Sequence, residues 1–149
     1  MTSKEVIKRI CKKCGARCCK FGGVFYTEKE KSRILKAGFK DYFIPFKGFF
    51  ATKPNKGNCP YLKGISCSIH EVRPTFCRIW PVFPKIINKK KKYYIFSCPL
   101  AKHIDGIFIK KAIKLANKLP NKIYEICWEA KSDPDLFEVF KPRLLKNLK

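Results

Sequence analysis

Four cysteines fall within nine residues near the amino terminus, Cys11-Lys-Lys-Cys14 and then Cys18-Cys19. Five more stand at positions 59, 67, 77, 98 and 127. This distribution constrains the fold more than any hydrophobic pattern in the chain. Two thiolates separated by two residues can close on one metal ion across a tight turn. The adjacent pair strengthens the signal, because four thiols so close together are seldom assembled for packing alone. Neighbouring cysteines point their side chains in different directions, so Cys18 and Cys19 are not expected to serve one tetrahedral metal together. One of them reaching a first site and the other a second satisfies that geometry.

Cys59, Cys67, Cys77 and Cys98 each lie near a turn, a proline or an expected element end, and they are the candidates for the remaining ligands. Eight thiols make two sites of four. A single cluster with additional redox-active thiols uses the same residues, and both partitions stay open. Cys127 differs, since Ile123-Tyr-Glu-Ile-Cys-Trp128 reads as an amphipathic helix in which a free cysteine behaves as a small hydrophobe. The start, Met1-Thr-Ser-Lys-Glu5, lacks the apolar stretch of a signal peptide. With an odd cysteine count, that points to a cytoplasmic protein using thiols for metal or catalysis rather than for disulfides. The heavy use of Lys, Ile, Asn, Tyr and Phe is that of an AT-rich thermophile, where intracellular disulfides do occur, so they remain the competing reading.

A chain of 149 residues, 46% hydrophobic and 14% aromatic, can build one small packed domain. No apolar run is long enough to span a bilayer. Ser3 or Thr2 can cap a short helix through Val6, Ile7 and Ile10 that delivers Cys11 and Cys14. Phe21 to Tyr26 reads as a short strand. Thr27 and Glu30 have the spacing of a capping box, with the following helix stopping at Gly38. Tyr42 to Phe50 reads as an extended segment interrupted by Pro45 and Gly48, and residues 53–60 as a loop. A small hairpin is expected around Lys63-Gly64, and a second around Asn88 to Lys92. Pro74 opens a short helix carrying Cys77, ended by Pro81. Asp105-Gly106 caps a helix whose face is Ile109, Ala112, Ile113 and Ala116. Pro120 breaks it, Ile123 to Ala130 forms a second helix, and Asp133-Pro134 opens a third.

The formal charge is +23, from 34 Lys and Arg against 11 Asp and Glu. A four-thiolate site holding zinc or an oxidised iron–sulfur core carries a net charge of about −2, so two sites leave the chain strongly basic. Such a balance fits a polyanionic partner, RNA or an acidic protein, and fits equally a solvated lysine-rich surface.

These residues resemble the CxxCxxCC cysteine-cluster family, the YkgJ-type proteins taken to be zinc- or iron-chelating domains. The family's opening motif is matched by Cys11, Cys14, Cys18 and Cys19. Its second block is matched by Cys59 and by Cys67-Ser-Ile-His70-Glu-Val-Arg73-Pro74-Thr-Phe-Cys77-Arg78, and a later Cys-Pro by Cys98-Pro99. The resemblance covers about residues 8–100. Two departures stand out: three residues separate Cys14 from Cys18 where the family usually has two, and His70 replaces the usual Tyr. The resemblance implies metal chelation, with His70 outside the inherited ligand set. A flagellin lysine methylase carries a similar region, which makes an iron–sulfur enzyme or accessory of protein lysine methylation one of the readings.

The expectation is therefore a small single α+β domain over residues 1–149. Residues 8–100 form an irregular, metal-organised cysteine region with short hairpins and helices, and residues 101–149 a helical third. The expected metal ligands are Cys11, Cys14, Cys18, Cys19, Cys59, Cys67, Cys77 and Cys98, holding an iron–sulfur cluster or zinc. Arg73 and Arg78 bracket Cys77 and are expected to stabilise the negative charge of a thiolate site, Arg73 the more so because the resemblance places an arginine before the same proline. His103 reads as a surface histidine. No paired carboxylates or phosphate-binding glycine loop mark a catalytic reaction. A structural zinc adaptor with a basic RNA- or protein-binding surface, and a protein that passes its ion on, complete the set of readings.

Overall fold

The structure, a computed structural model, describes residues 5–7, 9–10, 24–53, 59–64, 66–130 and 142–144. Residues 5–7 and 9–10 are helical, as the spacing of Val6, Ile7 and Ile10 predicts, while the capping residues before them lie outside the described residues. The first complete helix, α1 (Glu28–Lys36), begins on the expected capping box. The Thr27 hydroxyl accepts from the Glu30 N–H at 3.3 Å, and the Glu30 carboxylate accepts from the Thr27 N–H at 3.0 Å. Two of the N–H groups left over at a helix start are thereby satisfied. Its other end turns through Gly38, whose φ of +93° costs a glycine little.

The segment read as interrupted and extended folds as a hairpin, β1 (Phe43–Phe46) against β2 (Phe49–Thr52). Lys47 and Gly48, with φ of 47° and 89°, supply the two left-handed residues that a tight hairpin turn needs. Tyr26 bridges the far side of β2, exchanging bonds of 2.8 and 3.0 Å with Phe50, so β2 is central and β1 outermost among the described residues. Because the N–H and C=O of Phe50 are turned to Tyr26, the opposite residue Pro45 meets it in a position where no ladder donor is required. That is why a proline is tolerated inside the strand. Phe21 to Gly23, the rest of the strand expected there, lie outside the described residues.

The expected hairpin at Lys63-Gly64 forms as β3 (Leu62–Lys63) and β4 (Ser66–Cys67), with Leu62 opposite Cys67. A 3₁₀ turn (His70–Val72) and helix α2 (Thr75–Ile79) follow, with Pro74 at the helix entrance and Pro81 beyond its end. Next comes a long hairpin, β5 (Val82–Ile87) and β6 (Lys90–Phe96), turning at Asn88 and Lys89. A 3₁₀ turn (Pro99–Lys102) leads to α3 (Gly106–Asn117), capped by Asp105 accepting from the Phe108 N–H at 2.8 Å, and to α4 (Asn121–Ala130). The break at Pro120 falls as expected. A final strand, β7 (Pro142–Leu144), pairs with β6. The helix expected from Asp133-Pro134 lies outside the described residues.

The mixed α+β class thus holds, with short antiparallel hairpins and a helical carboxy-terminal region in one small domain. Its residues gather into two compact units that meet in sequence between Cys77 and Arg78. The first has a core of Tyr26, Ile34, Cys59, Tyr61 and Ile69, with Phe39, Tyr42, Phe43 and Phe50 packed against it. In the second, Tyr124 is fully buried against Phe83 and donates to the Ala116 carbonyl at 2.9 Å, tying α4 to α3. The Trp128 indole donates to the Pro84 carbonyl at 2.8 Å, tying α4 to β5. No helix among the described residues is long and apolar enough to cross a membrane.

Candidate metal centre

Three of the expected ligands, Cys59, Cys67 and Cys77, belong to the first unit. Cys59 opens a tight turn, closed by the Leu62 N–H donating to its carbonyl at 3.0 Å, with Pro60 at the second position where its fixed φ is favourable. Cys67 leaves the paired strand β4 one residue before Ser68, whose N–H and hydroxyl both donate to the Tyr61 carbonyl, at 2.9 and 2.6 Å. Backbone bonding therefore holds the Cys59 turn and the Cys67 strand together. Cys77 rides on α2, its N–H donating to the Pro74 carbonyl at 3.1 Å.

Helix α1 grips the segment that leads to Cys77. Glu30 is buried, and while one carboxylate oxygen serves the Thr27 cap, the other accepts from the Thr75 N–H at 2.5 Å. One turn further along, Arg33 donates to the Arg73 carbonyl at 3.0 Å and the Val72 carbonyl at 3.4 Å. A carboxylate and a guanidinium three residues apart thus fix both polarities of the backbone before Cys77. Charge-assisted bonds of this kind are roughly twice as strong as neutral ones.

Tyr26 is the buried phenol on which all three thiols act electrostatically. Its side chain is fully buried and shares a cluster with Cys59, against which Cys67 packs. Burial pushes the Tyr26 phenol well above its ordinary range, and the charges that Cys77, Cys59, Tyr61 and Cys67 can take up push it further. The phenol therefore stays protonated, a neutral O–H that the negative charge of deprotonated thiols would hold neutral all the more firmly. Tyr61 is raised to about 12, first by burial, with Asp41 and Cys59 adding to it, and its hydroxyl donates to the Lys40 carbonyl at 2.6 Å. Rings pack around these groups: Tyr26 stands edge-on to Phe43 at 4.9 Å, and Phe25 edge-on to Phe76 at 6.5 Å. Cys59 is buried, and Cys67 and Cys77 are half-buried.

Cys11, Cys14, Cys18 and Cys19 lie outside the described residues. Cys98 belongs to the second unit, half-buried at the start of the 3₁₀ turn, and Cys127 is buried on α4, where a core cysteine was expected. His103 is exposed, as expected. His70 is buried at the head of its 3₁₀ turn, between Cys67 and Cys77 in sequence. Arg73 is half-buried and extended, the conformation favoured before proline, and Arg78 is half-buried on α2. Among the described residues no three Cys, His, Asp or Glu side chains stand together closely enough to hold an ion by themselves. The sequence did not single out Tyr26, Tyr61 or Arg33, and it showed Glu30 only as a helix cap. Only the capping spacing carried any local signal.

The fold and these thiols define a small cysteine-rich α+β domain of the thiolate, metal-chelating class. The chain belongs to the CxxCxxCC family, described as a putative zinc- or iron-chelating domain, which it matches over residues 10–99. That span takes in eight of the nine cysteines and leaves out only Cys127. No curated protein and no solved structure matches the chain significantly.

Proposed function

We propose that the domain binds an iron–sulfur cluster through Cys59, Cys67 and Cys77 together with thiolates of the amino-terminal motif, Cys11, Cys14, Cys18 and Cys19. The observation that carries this reading is that Cys59 and Cys67 pack in the cluster of the buried Tyr26, and that Cys77 acts electrostatically on the same phenol. Soft thiolate donors select zinc and iron–sulfur centres over the hard cations. Burial and hydrogen bonding to sulfur set the potential of an iron–sulfur core, and the protonated Tyr26 phenol is suited to that role. A bound cluster would supply electron transfer; zinc in the same thiolates would supply structure alone. Of the chain's own residues, Glu30 and Arg33 hold the Cys77 segment, and the Cys59 turn and β4 hold the other two thiols.

The test is the metal content of protein purified without oxygen. Brown protein with iron, sulfide and broad charge-transfer absorbance is the expected result. Colourless protein with stoichiometric zinc selects the structural alternative. Protein never exposed to air that holds neither metal, with its cysteines paired as disulfides, overturns both. Cys98→Ser is the arm that assigns the thiol of the second unit: loss of metal makes it a ligand.

A further inference from the structure

The β5–β6 hairpin turns through Asn88 and Lys89, at φ of 52° and 64°, into the run Lys89–Lys92. Lys89, Lys90 and Lys92 are exposed, whereas Lys91 is half-buried and structural. Lys91 donates to the Asn121 side chain at 2.6 Å and lies over the Tyr124 ring at 5.9 Å. Asn121 in turn donates to the Lys89 carbonyl at 3.0 Å, and the Tyr93 hydroxyl donates to the Asn117 side chain. These bonds fix the hairpin tip beside the junction of α3 and α4. Lys118 and Lys122, next to Asn117 and Asn121 in sequence, are exposed there.

The charge continues along α3. Lys110, Lys114 and Lys118 are exposed at intervals of four residues, which places them on one helix face, and the exposed Lys111 adjoins Lys110. The eight steps from Lys110 to Lys118 span about 12 Å of helix. Between Arg78 and Tyr124 the only carboxylate is Asp105, and it is occupied in capping α3. Three elements thus carry one stripe of exposed lysines, and the exposed Glu125 lies one turn beyond Lys122 on α4.

We propose that this stripe binds the sugar–phosphate backbone of a nucleic acid. A protein partner would call for an apolar centre within a polar rim. The exposed large hydrophobics among the described residues are Ile44, Ile107 and Leu144, single side chains on three separate elements, with Ile107 on α3 and Leu144 opposite Tyr94 of β6. The exposed cations are lysines, point charges that neutralise phosphate without the planar fork that reads guanine, so binding has little sequence preference. The stripe belongs to the second unit and Cys59, Cys67 and Cys77 to the first, and the inference does not depend on which metal is bound.

The test is binding of the full-length chain to labelled single-stranded RNA, to DNA of the same sequence and to polyglutamate, across a salt series. The logarithm of affinity for the oligonucleotides should fall linearly with the logarithm of salt. In the Lys90→Ala, Lys92→Ala, Lys118→Ala, Lys122→Ala variant the slope should shrink by about 0.7 for each lysine that holds a phosphate. Circular dichroism should be unchanged. A control in the first unit, Lys29→Ala, Lys36→Ala, Lys40→Ala, should keep the wild-type slope. Equal affinity for RNA and DNA identifies backbone contact alone, and preference for RNA adds contact with the 2′-hydroxyl; both uphold the stripe. No oligonucleotide binding at low salt, equal loss in the control, or tighter binding of polyglutamate overturns it.

Discussion

Cys77 and Cys127 both ride on helices, yet their surroundings differ in kind. Cys77 is half-buried and acts electrostatically on a buried phenol, whereas Cys127 is a buried side chain on a helix packed against a sheet. Cys77→Ser is expected to lose metal and stability together, since metal-binding free energy is folding free energy in thiolate sites. Cys127→Ala should keep its metal and cost on the order of 1 kcal/mol, as a small core truncation does. Metal analysis with denaturant midpoints checks the pair, and equal metal loss would show that the nine thiols have been divided wrongly. Arg73→Lys, which keeps charge but loses the guanidinium fork, should weaken metal retention in a chelator competition more than Arg78→Lys does. If Arg73→Ala retains metal with unchanged stability and spectrum, its guanidinium plays no part at the site. The cysteines were legible because their spacing is local. Tyr26 was not, because its role arises from a bridge to Phe50 and from thiols 33 or more residues away, and no short window of sequence contains them.

At the level of elements, turns and caps were read well because their signals are local. Thr27 with Glu30, Asp105-Gly106, Pro120 and the Lys63-Gly64 turn each satisfy or break backbone bonding within a few residues. The β1–β2 hairpin was missed because Pro45 argues against a strand unless the strand lies at an edge, and edge position is a tertiary fact. The second bond of Glu30 was invisible for the same reason. Glu30→Gln turns one carboxylate oxygen into a donor facing an N–H, and should cost about 1–3 kcal/mol. Thr27→Ala should cost about 1 kcal/mol as a lost cap, while leaving Glu30 bonded to Thr75. If α1 positions Cys77, Glu30→Gln lowers metal affinity and Thr27→Ala does so much less. Equal effects would reduce Glu30 to a helix cap.

For the whole molecule, alkaline pH is the informative stress. Tyr93, raised to about 12 by burial, holds its proton more tightly when folded than its ordinary value of 10.0 allows. Its contribution to stability is complete below about pH 10 and is lost as pH rises through about 12. Tyr61 behaves alike. Denaturant midpoints should fall across that window, and less steeply in Tyr93→Phe, even though that variant starts lower for want of its bond to Asn117. Parallel decline in both proteins would assign the alkaline loss to other groups.

The proline in β1 bears on what happens to such a chain before its metal arrives. Two residues of β1, Phe43 and Pro45, turn their backbone away from β2. The Phe43 N–H is taken by the Asp41 carboxylate at 2.9 Å, and Pro45 has none to offer. A strand from another chain laid along that edge finds acceptors but no donors, and sheet addition needs both. The newly made protein, its thiols still unfilled, is thereby guarded against edge-to-edge aggregation at the hairpin beside Tyr26.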